Sequence, residues 1–365
     1  MVERRTFLAG FAGLGAVTLL GCSEDEPAQP TLSPSPSPTA TGRDEPNPRV
    51  AGTVADGLNV PWGIAFLPNG DALVAQRDKG SIVRITTDGE VTTVGDVRAS
   101  VGQPGGEGGL LGLALDPDDE SVLFAYVTTS ADDRVVRIDV DGDRLGDIRP
   151  ILTGIPVGGR HHGGRLLFDR DGHLFVATGE AGNPPEAQKK NSLGGKVLRI
   201  DRDGDAAAGN PFGNRTWSYG HRNIEGLAFD ADGRLWACEF GENRFDELNL
   251  VEKGKNYGWP RFEGESDEAG FVTPKVTWAT SECSPSGMAI TRSTAFVAAL
   301  QGECIWTVPL DGTHAGTPRA LLRGEYGRIR TIAVAPDESL WVTTSNTDGR
   351  GDPRKRDDRI LRVTI

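Results

Sequence analysis

From about residue 49 onward the chain returns repeatedly to one pattern: a burst of small apolar residues, a polar turn of Asp, Asn or Gly, and a second apolar burst. Six copies align: GIAFLPNGDALVA from Gly63, GLALDPDDESVLFAYV from Gly112, RLLFDRDGHLFVATG from Arg165, GLAFDADGRLWACEF from Gly226, GMAITRSTAFVAAL from Gly287 and TIAVAPDESLWVTTS from Thr331. Short apolar runs bounded by turn formers read as strands, so each copy predicts a hairpin. The segments between them, such as SIVRITTDG, RVVRIDVDGD, KVLRIDRDG, DELNLVEKG, CIWTVPLDG and RILRVTI, supply outer strands. A period of roughly 45 to 60 residues suits a four-stranded blade with variable loops. The expected fold is all-β, a six-bladed β-propeller with four-stranded antiparallel blades, formed by residues 49–365 as one domain. A β-sandwich would also space short strands regularly, but it would not alternate an inner hairpin with a distinct R-I-D-x-D-G-like outer strand. The Asp-Gly turns serve tight hairpins; DRDGD at Asp201 has the composition of a calcium loop but reads as one of these turns.

The start of the chain breaks this pattern. Arg4 and Arg5 precede an apolar run from Leu8 to Leu20, too short to span a bilayer comfortably, so residues 1–22 read as a signal peptide. The run ends in Leu19-Leu20-Gly21-Cys22, which resembles a bacterial lipobox, with Cys22 as the lipidated residue. The twin arginine is compatible with export in the folded state, and Sec export remains the alternative. Residues 23–48, with TLSPSPSPTATG, have little apolar surface to bury and predict a flexible Pro/Ser-rich spacer. The expected location is the extracytoplasmic face of the cell membrane, reached through the lipid anchor alone.

A formal net charge of -13 argues against a general nucleic-acid surface and confines any anion site to a local pocket. Three cysteines follow Cys22, and an exported location allows one disulfide. The expected pair is Cys283 with Cys304, because Cys238 sits inside the strand-like LWACEF as a buried small residue, although sequence does not fix the connectivity.

Ligand sites of propellers lie over the central channel, so polar residues flanking the inner strands are the candidates. They are Glu107 in GGEGGLLG, His161 in HHGGR, Glu180, Arg222 and Asn223 in GHRN, Gly241 and Glu242 in EFGEN, Gln301, and Arg328 and Arg330 in GRIR. The arginines suggest a basic pocket for an anionic ligand, since guanidinium groups grip carboxylates in a bidentate geometry. His161, beside paired glycines, is placed to take a proton from a bound substrate. His162 reads as structural or solvent-facing, His221 as a support for Arg222, and the NYGWP run with Tyr257 and Trp259 as a packing corner.

Together GEGGLLGLALDP, HHGGRLLF, YGHRNIEGLAFD, DELNLVEKGKNYGWP and GRIRTIAVAPD resemble the soluble quinoprotein glucose/sorbosone dehydrogenase family over most of the chain after the spacer. The resemblance implies a six-bladed propeller that binds pyrroloquinoline quinone (PQQ) with calcium and oxidises the C1 hydroxyl of aldose sugars to lactones, passing electrons to an envelope acceptor. It implies His161 as the base, Glu180 as its carboxylate partner and Arg222 as the group polarising the quinone. Asn223, Gln301, Arg328 and Arg330 would hold the cofactor, Glu107 would lie near the sugar, and the backbone carbonyls of Gly241 and Glu242 would bind calcium. Three positions depart from the family pattern: Gln301 replaces a lysine of glucose-oxidising members, Glu180 an aspartate of many members, and Glu242 a proline. Those departures favour the alternative reading, an inactive propeller lipoprotein acting as a surface binding or scaffolding module. A calcium-dependent lactonase is a third class, but the chain lacks the central cluster of acidic and amide ligands expected of one.

Overall fold

The computed structural model describes residues 46–102 and 105–365; the leader, Cys22 and residues 23–45 of the spacer lie outside the described residues. Six antiparallel sheets form the blades of a propeller, spanning residues 61–96, 110–155, 163–219, 224–279, 285–321 and 329–364. In the first five the strands follow one another in chain order outward from the centre. The fifth blade splits its outer edge into two short strands, His314–Ala315 and Arg319–Leu321, both paired with Cys304–Asp311. The third strands are the predicted outer segments, from Ser81–Ile85 to Ile360–Thr364.

The sixth blade is completed from the far end of the domain. Arg49–Ala55 pairs antiparallel with Ile360–Thr364, Arg49 opposite Thr364 and Ala55 opposite Ile360. Closing the ring this way ties the first and last strands into one sheet, so their separation costs ladder hydrogen bonds as well as packing. The repeat pattern does not announce this strand, because Arg49–Ala55 has no hairpin partner next to it in sequence.

Hydrophobic side chains fill six clusters, one in each seam between neighbouring blades. The seam between the last and first blades holds Trp341 against Phe66, edge to face with ring centroids 5.0 Å apart. The buried strands therefore read as continuous apolar runs rather than alternating ones, because both faces of each blade are covered.

Around the channel, glycines set the spacing of the innermost strands. A Cβ at Gly112 would collide with the carbonyl of Gly164 in the next blade, and one at Gly226 would sit 2.5 Å from the Ser286 carbonyl oxygen. Where the third and sixth repeats lack that glycine, Arg165 and Thr331 stand in its place and enter the channel. Arg165 Nε donates to the Glu225 carbonyl (2.8 Å), its Nη2 reaches Thr331 Oγ1 (3.2 Å), and its guanidinium lies 4.1 Å from the Trp62 ring centroid. Thr331 Oγ1 in turn donates to the Trp62 carbonyl at 2.5 Å. One side chain from the third blade thus touches the first, fourth and sixth across the channel.

The expected Cys283–Cys304 disulfide is absent: Cys238, Cys283 and Cys304 are all free and buried. All three belong to the apolar seam between the fourth and fifth blades, with Trp236, Trp278 and Met288. Burial favours the neutral thiol there, pushing the Cys304 thiol up to about 11 and Cys283 well above the ordinary range. The cysteines act as small packing residues, the role expected of Cys238 alone.

Candidate functional site

At one end of the channel the loops leaving the inner strands enclose a cavity of about 290 Å³. Glu107, His161, Arg222, Asn223, Gly241, Glu242, Gln301, Arg328 and Arg330 all line it, so every expected site residue except Glu180 meets the same space. Glu180 lies directly behind His161.

The turn that carries His161 is strained by design of the sequence. His161 has a left-handed backbone (φ 61°) and leads into Gly163 and Gly164, which are also left-handed. Glu107 Oε2 fixes the turn by accepting the His161 N–H at 2.8 Å, and Gly179 admits it, because a Cβ there would collide with the His161 carbonyl. The imidazole Nδ1 lies 2.5 Å from Glu180 Oε1, so the longer acid reaches its partner. An ionised carboxylate can only accept, which puts the imidazole proton on Nδ1 and leaves Nε2 as a free lone pair. His162 points elsewhere: it is buried, with Nδ1 2.8 Å from Asp133 Oδ2.

Arg222 is the cation that stands out. It is buried, its guanidinium lies 5.4 Å from the Trp259 ring centroid, its Nε has no hydrogen-bond partner, and it makes no ion pair with any described residue. Burial pulls its pKa down, against the opposing pull of Glu180 and Glu242. A buried donor without an acceptor is costly, so this group is built to meet an oxygen of a ligand. Behind it, Glu239 accepts the Arg222 N–H (2.9 Å) and His221 Nδ1 (2.8 Å), while His221 stacks on Tyr257 with ring centroids 4.4 Å apart. Asn223 Oδ1 accepts Gly163 N–H (2.9 Å), tying this loop to that of His161.

The other arginines are already paired, so the pocket is less basic than its arginines alone suggest. Asp348 Oδ2 accepts Arg328 Nε (3.1 Å) and Arg330 Nη2 (3.4 Å), and Glu225 Oε2 accepts Arg330 Nη1 (2.9 Å). At the rim, Arg350 Nη2 donates to Glu107 Oε1 at 3.0 Å. Arg350 places a fourth guanidinium on the cavity wall, on the loop after the sixth hairpin, while Gln301 contributes an uncharged amide. Asp246 also lines the cavity; burial raises its carboxyl to about 6, against the N–H groups of Ser284 and Gly241 that favour the charged form.

Sequence reasoning missed Glu225, Asp246, Asp348 and Arg350. A faint signal exists for Glu225, which follows Asn223 by two residues and so shares its face of the strand. Asp348 and Arg350 sit in a loop, where an isolated charge looks like any solvated one, and Asp246 stands near the start of the outer strand Phe245–Val251, where it reads as part of an ordinary polar-apolar alternation. A different acidic group, Asp169, Asp171 and His173, lies at the opposite end of its hairpin from His161. Its Asp169 oxygens are already engaged by the N–H groups of Asp171 and His173 and by Arg199. Asp201 likewise accepts the N–H groups of Asp203 and Asp205 within its own turn.

Below Arg222, Glu239 and Glu247 share Asn249, whose Nδ2 lies 2.9 Å from an oxygen of each. Burial, then the neighbouring Glu239, pushes the Glu247 carboxyl from 4.5 up to about 8. With the folded-state pKa above the unfolded one, the folded protein binds the extra proton between these values. The stabilisation is therefore complete below pH 4.5 and lost as pH rises through 8. Glu247→Gln removes the titration and is expected to flatten the fall in stability across this window, by at most about 1.4 kcal/mol per pH unit. Urea unfolding at several pH values checks this; equal slopes for variant and parent would rule it out.

The profile of the glucose/sorbosone dehydrogenase family matches residues 58–361. The solved PQQ-bound aldose sugar dehydrogenase of Streptomyces coelicolor is 48% identical with a TM-score of 0.84, covering 87% of this chain and 97% of that one. Aldose sugar dehydrogenase YliI of Escherichia coli is 31% identical over 80% of this chain and 89% of its own length. Quinoprotein glucose dehydrogenase B of Acinetobacter calcoaceticus is 30% identical over 63% of this chain and 56% of its own length. With the family profile matched from the first blade to the last, this chain belongs to the glucose/sorbosone dehydrogenase family.

Proposed function

We propose that the protein is a PQQ-dependent dehydrogenase that oxidises the C1 hydroxyl of an aldose to the lactone. The observation that carries this reading is the pairing, across one cavity, of an oriented base and a buried cation: His161 held by Glu180, and Arg222 with no ion-pair partner among the described residues. PQQ, when bound, supplies the electrophilic quinone that accepts a hydride and thus two electrons. The residues present suit it, because Arg222 offers a free donor to an oxygen, while Arg328 and Arg330 face the cavity as cations for carboxylates.

In this mechanism His161 Nε2 accepts the proton of the C1 hydroxyl as the C1 hydride departs, which leaves C1 as the lactone carbonyl. Glu180 holds the imidazole by Nδ1 and stabilises the positive charge that forms on it. Arg222 donates to the oxygen on which negative charge develops, a role suited to a donor fixed in advance in a buried site. Asn223 and Gln301 offer amide groups to the cofactor, and Glu107 faces the sugar. Calcium fits the loop at Gly241 and Glu242, whose carbonyl oxygens accept no hydrogen bond from any described residue, and hard cations favour such oxygens. The leader and Cys22 support export and lipid anchoring, which would place the reaction beside an acceptor of the envelope.

Titration with PQQ and calcium, followed by aldose and a redox dye, tests the reading. The expected result is saturable cofactor binding, bleaching of the oxidised cofactor by aldose, and dye reduction. Failure to bind PQQ at micromolar concentration would leave a surface binding propeller as the better account.

A further inference from the structure

The loop that follows the inner hairpin of the fourth blade is organised around one carboxylate. Glu263 Oε1 accepts four consecutive backbone N–H groups, from Glu242 (2.7 Å), Asn243 (2.8 Å), Arg244 (2.8 Å) and Phe245 (3.2 Å). The preceding N–H, of Gly241, goes to Asp246 Oδ1 at 2.9 Å. In a planar trans peptide the N–H and the carbonyl of the preceding residue point in opposite directions. Drawing the N–H groups of Glu242, Asn243 and Arg244 toward Glu263 therefore turns the carbonyls of Gly241, Glu242 and Asn243 away from it. Gly241 and Glu242 line the cavity, and their carbonyl oxygens lack hydrogen-bond donors among the described residues.

Two glycines make this arrangement possible. A Cβ on Gly241 would collide with the Phe245 carbonyl and sit 2.7 Å from Glu263 Oε1. Gly264 N–H donates to Glu247 Oε1 at 2.7 Å, anchoring the backbone next to Glu263.

We propose that Glu263 is a positioning residue for cation binding: by collecting four backbone N–H groups on one oxygen, it presents the carbonyls of Gly241 and Glu242 as preformed calcium ligands. This rests on the calcium reading of the proposed function. Glu263 stays outside the coordination sphere and acts through the loop. It also relieves the loop of needing a rigid residue at position 242, because the carboxylate fixes the backbone from behind.

Calorimetric titration of calcium into the purified protein with PQQ present tests this, alongside optical titration of PQQ with calcium chelated. Glu263→Gln keeps one acceptor but no charge and is expected to weaken calcium about tenfold; Glu263→Ala, about a hundredfold. Calcium-free PQQ affinity is expected to stay within about twofold of the parent in both, since changes to groups that orient metal ligands act on metal affinity. Unchanged calcium affinity in a folded Glu263→Gln protein overturns the proposal. Equal losses of calcium affinity and calcium-free PQQ affinity also overturn it, by marking a general collapse of the loop. A parent protein that binds PQQ but takes up no calcium refutes the calcium reading itself.

Discussion

Replacing His161 with alanine is expected to lower kcat by about a hundred- to ten-thousandfold, the usual worth of a positioned general base. The loss should fall on kcat rather than on cofactor affinity, because the imidazole is held by Glu180 and the arginines that would grip PQQ sit on other blades. Alanine must also adopt the left-handed backbone of position 161, so glycine is a useful second variant that relieves that strain. Stopped-flow reduction of bound PQQ by aldose isolates the step. If His161→Gly reduces the cofactor at the parent rate, the base lies elsewhere.

Asp348→Ala is expected to destabilise the protein by about 3–5 kcal/mol, the cost of removing one partner from a buried ion pair. Asp348 is buried and receives Arg328, Arg330 and Ser345 on one oxygen, and Arg350 N–H on the other. Arg330 keeps Glu225, but Arg328 has no other ion pair among the described residues. Without the acid, both guanidinium groups lose the geometry in which they face the cavity, so PQQ affinity should fall by roughly tenfold or more. Asp348→Asn retains an acceptor of the same shape and should cost less, which separates charge from geometry. Chemical denaturation and PQQ titration of the two variants measure the two effects. A change of only a few tenths of a kcal/mol for Asp348→Ala would show that the arginines find other partners.

The blades were legible because each is a local object. A hairpin and its outer strand lie within one repeat, and the alternation of apolar bursts and Asp-Gly turns is written in contiguous residues. His161, Arg222, Arg328 and Arg330 were legible for a related reason: each flanks an inner strand whose direction the repeat already fixes. What stayed hidden depends on contacts across the ring. Arg49–Ala55 makes sense only against Ile360–Thr364 at the other end of the domain. Glu225 and Arg330 are 105 residues apart, and Glu107 and Arg350 are 243 apart. The cysteine pairing failed because cysteine count and compartment allow a disulfide without requiring one, while the seam between the fourth and fifth blades had room for small apolar groups.

Arg165 has a kinetic consequence. By touching the first, fourth and sixth blades across the channel it obstructs passage along the axis of the ring, so on the proposed reading sugar, lactone and electron acceptor share the mouth of the cavity. Traffic through one doorway is ordered in time: the lactone must depart before an acceptor can approach the reduced cofactor. The two half-reactions then alternate, giving parallel lines in double-reciprocal plots, and an excess of sugar competes with the acceptor for the opening.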